Sequence, residues 1–175
     1  IRDDSASRGL GDVYKRQLLD NKTFSMFAET PKYRRKILDR CLMASDKNFN
    51  KDFFSFHRSL KQRNAALKFK RLTNIDMWSE IFINSGTLIS EKRNNFFEET
   101  KQTFFMFAKN LNDKRVLEII NSLEILFHKG WASEHSLKEA LELNRDTDQR
   151  KTSTTSGPHR ACLLYTSPSP RDAES

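Results

Sequence analysis

Pro31-Lys32-Tyr33-Arg34-Arg35-Lys36-Ile37-Leu38-Asp39 opens a stretch that closes on Leu60-Lys61-Gln62-Arg63-Asn64-Ala65-Ala66-Leu67. Both ends read as amphipathic helix. Thr30 is placed to cap the first helix, and Pro31 suits its first turn because proline has no N–H to leave unsatisfied there. At about 100° per residue, Tyr33, Ile37, Leu38, Cys41 and Leu42 share one face. Arg34 falls in the middle of that face, whereas Arg35, Lys36, Asp39 and Arg40 fall outside it. In the second helix Phe49, Phe53, Phe56, Leu60 and Leu67 form a stripe, with Arg63 and Asn64 at its edges. A buried charge left alone is costly, so an arginine on an apolar face needs a partner. Arg34 is therefore expected to be more buried than Arg35 or Lys36, and hydrogen-bonded to a carboxylate, amide or carbonyl.

Outward from this stretch the pattern stays helical. The first helix should end near Ala44. Asp46 or Asn48 can cap the second, which should run to about Lys70. Trp78, Ile81, Phe82, Ser85, Ile89, Lys92, Phe96, Thr103 and Phe107 keep a helical period from about Ile75 to Leu111. Gly86 interrupts that helix, which predicts a kink or a close helix contact. Beyond Phe97 apolar residues surround the axis, so that end is expected to be the more buried. Leu123, Ile125 and Phe127 then alternate with Glu124, Leu126 and His128, a strand that Gly130-Trp131 ends. Ser133 or Ser136 caps a further helix carrying Leu137, Ala140, Leu141 and Asn144, and Arg145, Asp146 and Asp148 close it. Lys151–Ser156 is polar and β-branched, which predicts a second strand leading into Gly157-Pro158. Residues 18–27 read as a short mixed segment, extended up to the Thr30 cap. The fold class is mainly α (α+β overall), with a few strands near the C-terminal end.

The chain has 175 residues and a net charge of +8. That is one domain's worth, enough to bury a core. A basic balance favours a polyanionic partner but says nothing of fold. Phe, Lys, Asn and Ile are abundant, so a compositional origin of the charge stays open beside the functional one. Cys41 and Cys162 stand far apart, with no metal-ligand spacing and no disulfide framework, which fits a reducing cytosol. No apolar run approaches the ~18 residues of a membrane span. Ile1-Arg2-Asp3-Asp4 has no apolar leader core and no initiating Met. Residues 1–17 and 162–175 resemble translated sequencing-adapter read-through, carried by GDVYKRQ and CLLYTSPSPRD. They are expected to be artefactual or disordered tails outside a folded unit of residues 18–161. They hold five basic and five acidic residues, so residues 18–161 keep the full +8.

Little here can do chemistry alone. There is no Gly-x-x-x-x-Gly-Lys-Ser/Thr loop to cradle phosphates, and no apolar strand ending in paired acids to hold Mg²⁺. Phosphoryl transfer needs those parts together with a positioned water. No Ser or Cys nucleophile stands beside a His; His57, His128, His135 and His159 are scattered. No catalytic residue and no metal ligand is assigned. His57, at the edge of its stripe, reads as a packed residue. His159-Arg160, beside a tight turn, reads either as a brace or as a group facing phosphates.

Three elements in order carry a family resemblance. Pro31, Arg34, Arg35 and Asp39 fit Pro-x-x-Arg-Arg-x-x-x-Asp. Lys61, Gln62, Arg63 and Asn64 open Lys-Gln-Arg-Asn-x-x-Leu. Gly157, Pro158, His159 and Arg160 form the third, preceded by Asp148 and Thr154. Together with Trp78 and Gly130-Trp131 they resemble the RecF family of bacterial recombination and gap-repair proteins, over roughly Leu18 to Ala161. Glu29 and Thr30 replace the usual glycine and small residue, Ile37 an aromatic, and Cys162 an aspartate.

The resemblance implies a long-helix lobe inserted in a P-loop ATPase head similar to those of the structural-maintenance-of-chromosomes proteins, plus the strands that return to that head. The phosphate loop would lie before this segment, and the metal-binding carboxylates after it. The parent would bind ATP with Mg and also DNA at single-stranded/duplex gaps. It would dimerise on ATP, work with RecO and RecR proteins in repair, replication and the SOS response, and reside in the cytoplasm. The parent family is a DNA-dependent ATPase; this segment, lacking both halves of the nucleotide site, is expected to be inactive and to bind neither ATP nor Mg. Arg34, Arg63 and Asn64 read as an interhelical polar bracket, or else as nucleotide or DNA contacts. Arg35, Lys36, Arg40, Lys61 and Lys68 are the DNA-binding candidates. The alternative is a stand-alone basic helical module for nucleic acid or protein, without an ATPase head; a phosphate loop upstream in the reading frame would separate the two.

Overall fold

A computed structural model describes residues 30–70, 72–111 and 113–166. The expectations for residues 1–17, for the segment 18–27 and for residues 167–175 lie outside the described residues.

Helix α1 spans Pro31–Ser45, α2 Phe49–Lys68, and α3 Ile75–Asn110, entered through a 3₁₀ turn at Leu72–Asn74. Thr30 stands at the N-cap of α1 with extended dihedrals, and its side chain makes no capping bond. Asp46 Oδ1 accepts from Asn48 N at 2.8 Å and so shapes the α1–α2 turn, while Asn48 holds the N-cap position. Lys92 on α3 reaches over to Asp46 and Asp52, both at 2.9 Å, and ties this turn to the long helix. The hydrogen bond from Lys92 is the main cause that holds the Asp46 carboxyl below its ordinary range.

The buried face of α1 is Arg34, Leu38, Asp39 and Leu42. It is therefore rotated from the expected face: Asp39 turns in and Cys41 stays exposed. On α2 the buried set is Phe49, Phe56, Ser59, Arg63, Ala66 and Leu67. Arg63 thus stands within the stripe rather than at its edge. Phe49, Phe56, Phe82, Ile89, Trp131, Leu137, Ala140 and Leu141 join Leu38 and Leu42 in one core, with Phe56 and Phe82 rings 5.1 Å apart.

Helix α3 runs unbroken for 36 residues, about 54 Å. Gly86 marks a close contact: a Cβ there would stand 2.8 Å from Leu137 Cδ2. The half beyond Phe97 is not the more buried one. Met106 and Phe107 are 62% and 65% exposed. The next element, α4 (Lys114–Ser122), turns back along α3 but covers only part of its girth. This short helix was not expected. Asp113 caps it, accepting from Arg115 N and Val116 N.

Strand β1 (Glu124–His128) falls where the alternation placed it, with Phe127 packed on Phe97 at 5.8 Å. Ser136 caps α5 (Leu137–Leu143) in a reciprocal capping box with Glu139. Arg145–Lys151 is a further helix, α6, and Thr152 ends it in the left-handed region. The strand expected at Lys151–Ser156 is absent. The amides of Thr154 and Thr155 bond to the side chains of Asn64 and Asp148 instead of to a ladder. The partner of β1 is β2 (Cys162–Thr166), antiparallel, with Ile125 opposite Tyr165 and His128 opposite Cys162. These five residues were assigned to the C-terminal tail. Their apolar run satisfies the edge that β1 would otherwise leave open. The architecture is mainly α with one two-stranded sheet. No described helix is long and apolar enough to cross a membrane.

Gly130 accepts from Gly157 N at 3.2 Å and has φ +102°. A Cβ on it would meet Gly157 O and would stand 2.8 Å from Ala161 N, both backbone atoms. Gly130→Ala should therefore cost ~3 kcal/mol or more, from backbone strain plus overpacking. Gly86→Ala should cost much less. The Leu137 side chain can give way, and alanine returns ~1 kcal/mol of helix propensity. Urea unfolding of both variants checks the order; equal losses would refute the backbone contact.

Candidate functional site

The three motif elements meet in the folded chain. Arg63 leaves the buried face of α2, and its Nη1 donates to Asp148 Oδ2 at 2.8 Å and to Thr154 Oγ1 at 2.6 Å. Its Nε donates to Ser79 Oγ on α3 at 3.0 Å. Asn64 Oδ1 accepts from both Thr154 N and Thr154 Oγ1, at 2.8 and 2.7 Å. The Thr154 hydroxyl therefore donates to Asn64 while it accepts from Arg63. Asp148 is 0% exposed, and its Oδ1 takes Thr155 N at 2.8 Å and Thr155 Oγ1 at 2.6 Å. Apart from Ser79 on α3, the cluster sits where helix α2 meets the return segment 148–156.

A second cluster joins α1, α3 and the third motif. Arg93, 2% exposed, grips Asp39 with a two-pronged fork: Nε to Oδ1 at 2.8 Å and Nη2 to Oδ2 at 3.0 Å. Its Nη1 donates to Pro158 O at 2.7 Å. Arg35 Nη1 donates to Ala161 O, and Arg34 Nη2 to Cys162 Sγ at 3.8 Å. Arg34 is indeed more buried than its two neighbours, at 6% exposure. One of its contacts is with the Cys162 thiol.

His159 Nε2 lies 3.0 Å from Thr154 O, so the ring carries its proton on Nε2. Burial first, then the neighbouring charges of Arg160 and Arg35, holds its pKa down at about 4, against the backbone bond to Thr154. His159 is therefore a neutral donor linking two loops, flanked by the Phe56 and Phe82 rings at 6.4 and 6.1 Å. His57 packs on Phe53 with ring centroids 4.3 Å apart, and burial also lowers its pKa.

Pro31 fills the first turn of α1, and Gln62 is exposed beside Lys61. Gly157 brings φ +138° to the entry of the 3₁₀ turn Pro158–Arg160. Among the DNA-contact candidates, Lys36, Arg40, Lys61 and Lys68 are exposed. Arg35 is half-buried and donates inward, so it does not belong with that outer set. Arg93 escaped the sequence reading. It repeats the Arg34 signal, a cation four residues past Ile89 on the buried stripe of α3, and the same rule would have found it.

This site is a pair of charged brackets that fasten a helical lobe to its return segment, and its parts match no catalytic constellation among the described residues. No protein-family model matches the chain. Curated relatives do. The DNA replication and repair protein RecF of Pseudoalteromonas translucida is 37% identical over 154 residues, covering 85% of this chain and 40% of that protein. The protein of the same description from Coxiella burnetii is 31% identical over 139 residues, covering 78% of this chain and 37% of its own length. Two solved structures share the fold. The recombination mediator protein RecF-ATP of the RecFOR pathway has a TM-score of 0.71 at 24% identity, covering 85% of this chain and 42% of that one. The corresponding RecF-ATPrS structure has a TM-score of 0.70 at 26% identity, with the same coverage. The chain belongs to the RecF family of DNA replication and repair proteins, and it spans about 40% of the length of the curated relatives it matches.

Two measurements test the brackets. Asp148→Asn and Arg63→Met should each cost ~3–5 kcal/mol, because each leaves a buried partner uncompensated. The double variant should cost less than the sum, and additive losses in urea would show that the pair is not coupled. The second is pH. The unfolded His159 takes up a proton near pH 6.5, whereas the folded residue does so only near pH 4. Its stabilising effect is thus complete above about pH 6.5 and is lost as pH falls toward 4, at no more than ~1.4 kcal/mol per pH unit. The stability difference between wild type and His159→Gln should shift across that window. A pH-independent difference would mean that the ring charges freely in the folded state.

Proposed function

We propose that this segment is the helical lobe, with its return strand, of a RecF-type protein that binds ATP with Mg and DNA and acts in recombinational gap repair. The convergence of the three family elements on two buried brackets, linked through the bond of His159 to Thr154 O, in a fold shared with RecF, carries this reading. The motif arginines then act on architecture: they set how the lobe stands on the segment that leads back to the ATPase head. The exposed cations Lys36, Arg40, Lys61 and Lys68 contact DNA phosphates without reading bases. RecO and RecR proteins, a second copy in an ATP-dependent dimer, and a cytoplasmic setting complete the proposal. The DNA replication and repair description of the relatives supports it. The segment alone neither binds ATP tightly nor turns it over, since phosphate loop and metal carboxylates are missing from its sequence.

The chain should bind duplex DNA weakly, without sequence preference, and lose it steeply with salt. Each phosphate neutralised contributes about −0.9 to the slope of log affinity against log salt. Anisotropy titrations at two salt concentrations should give a lower affinity and a shallower slope for Lys36→Glu with Arg40→Glu. Unchanged values would remove α1 from the DNA surface. Saturable micromolar binding of labelled ATP would contradict the assignment of the segment.

A further inference from the structure

The 3₁₀ turn at Pro158–Arg160 gathers more positive charge than the fold neutralises. Arg93 donates to Pro158 O at 2.7 Å from one side, and Arg35 donates to Ala161 O from another. Arg160 stands on the turn itself and is exposed. Its guanidinium has no hydrogen-bond or ion-pair partner among the described residues. The carboxylates nearby are already taken: Asp39 by both prongs of Arg93, and Asp148 by Arg63. The crowding registers on Arg35. Burial, followed by the Arg93 charge and more weakly that of Arg160, lowers its pKa despite Asp39 and Cys162.

We propose that the Arg35–Arg160 corner is a subsite for a phosphate group, supplied by a nucleic-acid backbone or by the polyphosphate of a nucleotide. An anion relieves the repulsion among guanidiniums that Asp39, held by both prongs of Arg93, offsets only in part. Arg160 is exposed, and the planar fork of a guanidinium can take two phosphate oxygens at once. The backbone beneath it is stiff. Arg160 N donates to Gly157 O at 2.8 Å, Ala161 N donates to Pro158 O at 3.2 Å, and Pro158 fixes its own φ. Little backbone ordering is left to be done when the ligand arrives; the Arg160 side chain alone has to settle. Arg35, anchored by its carbonyl bond, supplies the fixed second charge. The subsite adds Arg160 to the DNA surface proposed above and rests on that reading only for its nucleic-acid source.

Arg160→Gln removes the charge from an exposed side chain with no partner to orphan, so it should fold with a wild-type urea midpoint. The probes are sodium tripolyphosphate, followed by thermal midpoint, and a short mixed-sequence duplex, followed by anisotropy, both at low salt. Arg160→Gln should weaken at least one of them by roughly tenfold, while Arg160→Lys retains part of the affinity. On the duplex the salt slope should become shallower by about 0.9, one phosphate's worth. Loss on tripolyphosphate, with no duplex binding by wild type, supports the subsite and ends the DNA reading. Duplex binding that falls with Lys36→Glu and Arg40→Glu but not with Arg160→Gln keeps the DNA reading; the subsite is overturned if tripolyphosphate is equally indifferent. Failure of wild type to bind either probe also overturns it.

Discussion

Asp148 has no exposed surface, and the region around it is arranged to supply its donors. Arg63 comes from α2, Thr155 from the loop that follows α6, and Thr154 completes the set by bridging Arg63 to Asn64. A buried carboxylate is tolerated only when its lone pairs are filled, since desolvation otherwise outweighs any attraction. That constraint dictates the conformation of residues 152–156. The amides of Thr152 and Ser153 close back onto α6, and those of Thr154 and Thr155 go to side chains, so the segment does not also join a sheet. Thr152 in the left-handed region and Gly157 at φ +138° are the bends this path requires.

The second bracket applies the same constraint to orientation. Arg93 holds Asp39 with two nearly equal bonds and Pro158 O with a third, so one guanidinium ties α1, α3 and the 3₁₀ turn. Apolar contacts such as Phe56 on Phe82 supply burial but are tolerant of small slides. A fork on a carboxylate is not, because both bonds lengthen together. The core therefore gives the lobe its cohesion, while the charged pairs fix the register between its helices and the return segment.

Helix and strand positions were largely legible because they follow from period alone. Pro31, the Phe49-to-Leu67 stripe, the Trp78-to-Phe107 stripe and the 123–128 alternation all marked real elements. What escaped depends on tertiary partners. Residues 151–156 have strand-like composition, but the side chains of Asn64 and Asp148 claim the amides of Thr154 and Thr155. Cys162–Thr166 carried artefact-like wording, yet β1 needed a neighbour. Asp39 was placed off the face because side-chain polarity was read without its partner, Arg93, more than fifty residues away. The exposed Phe104 and Phe107 show the converse error: an apolar surround was taken for burial, but α4 is too short to cover it. Of the site, Arg34, Arg63 and Asn64 were legible as a bracket because a cation on an apolar stripe demands an explanation. The counter-ion of Arg63, Asp148 from a distant element, was not.

The same division explains the electrostatics of the whole segment. Arg34, Arg63 and Arg93 are buried, as are Asp39 and Asp148. Three arginines against two aspartates leave the described interior at +1, while residues 18–161 carry +8. Most of the excess is therefore carried by side chains that solvent reaches. There, screening at about 0.15 M salt confines each charge to a reach of roughly 8 Å. At that range the total matters less than local spacing. Isolated lysines on a helix act nearly independently, whereas guanidiniums crowded around one turn without a free carboxylate form a local field that a single oxyanion can answer. Composition reports the sum of the two populations; only the fold separates the arginines that hold the lobe together from the cations it presents to a partner.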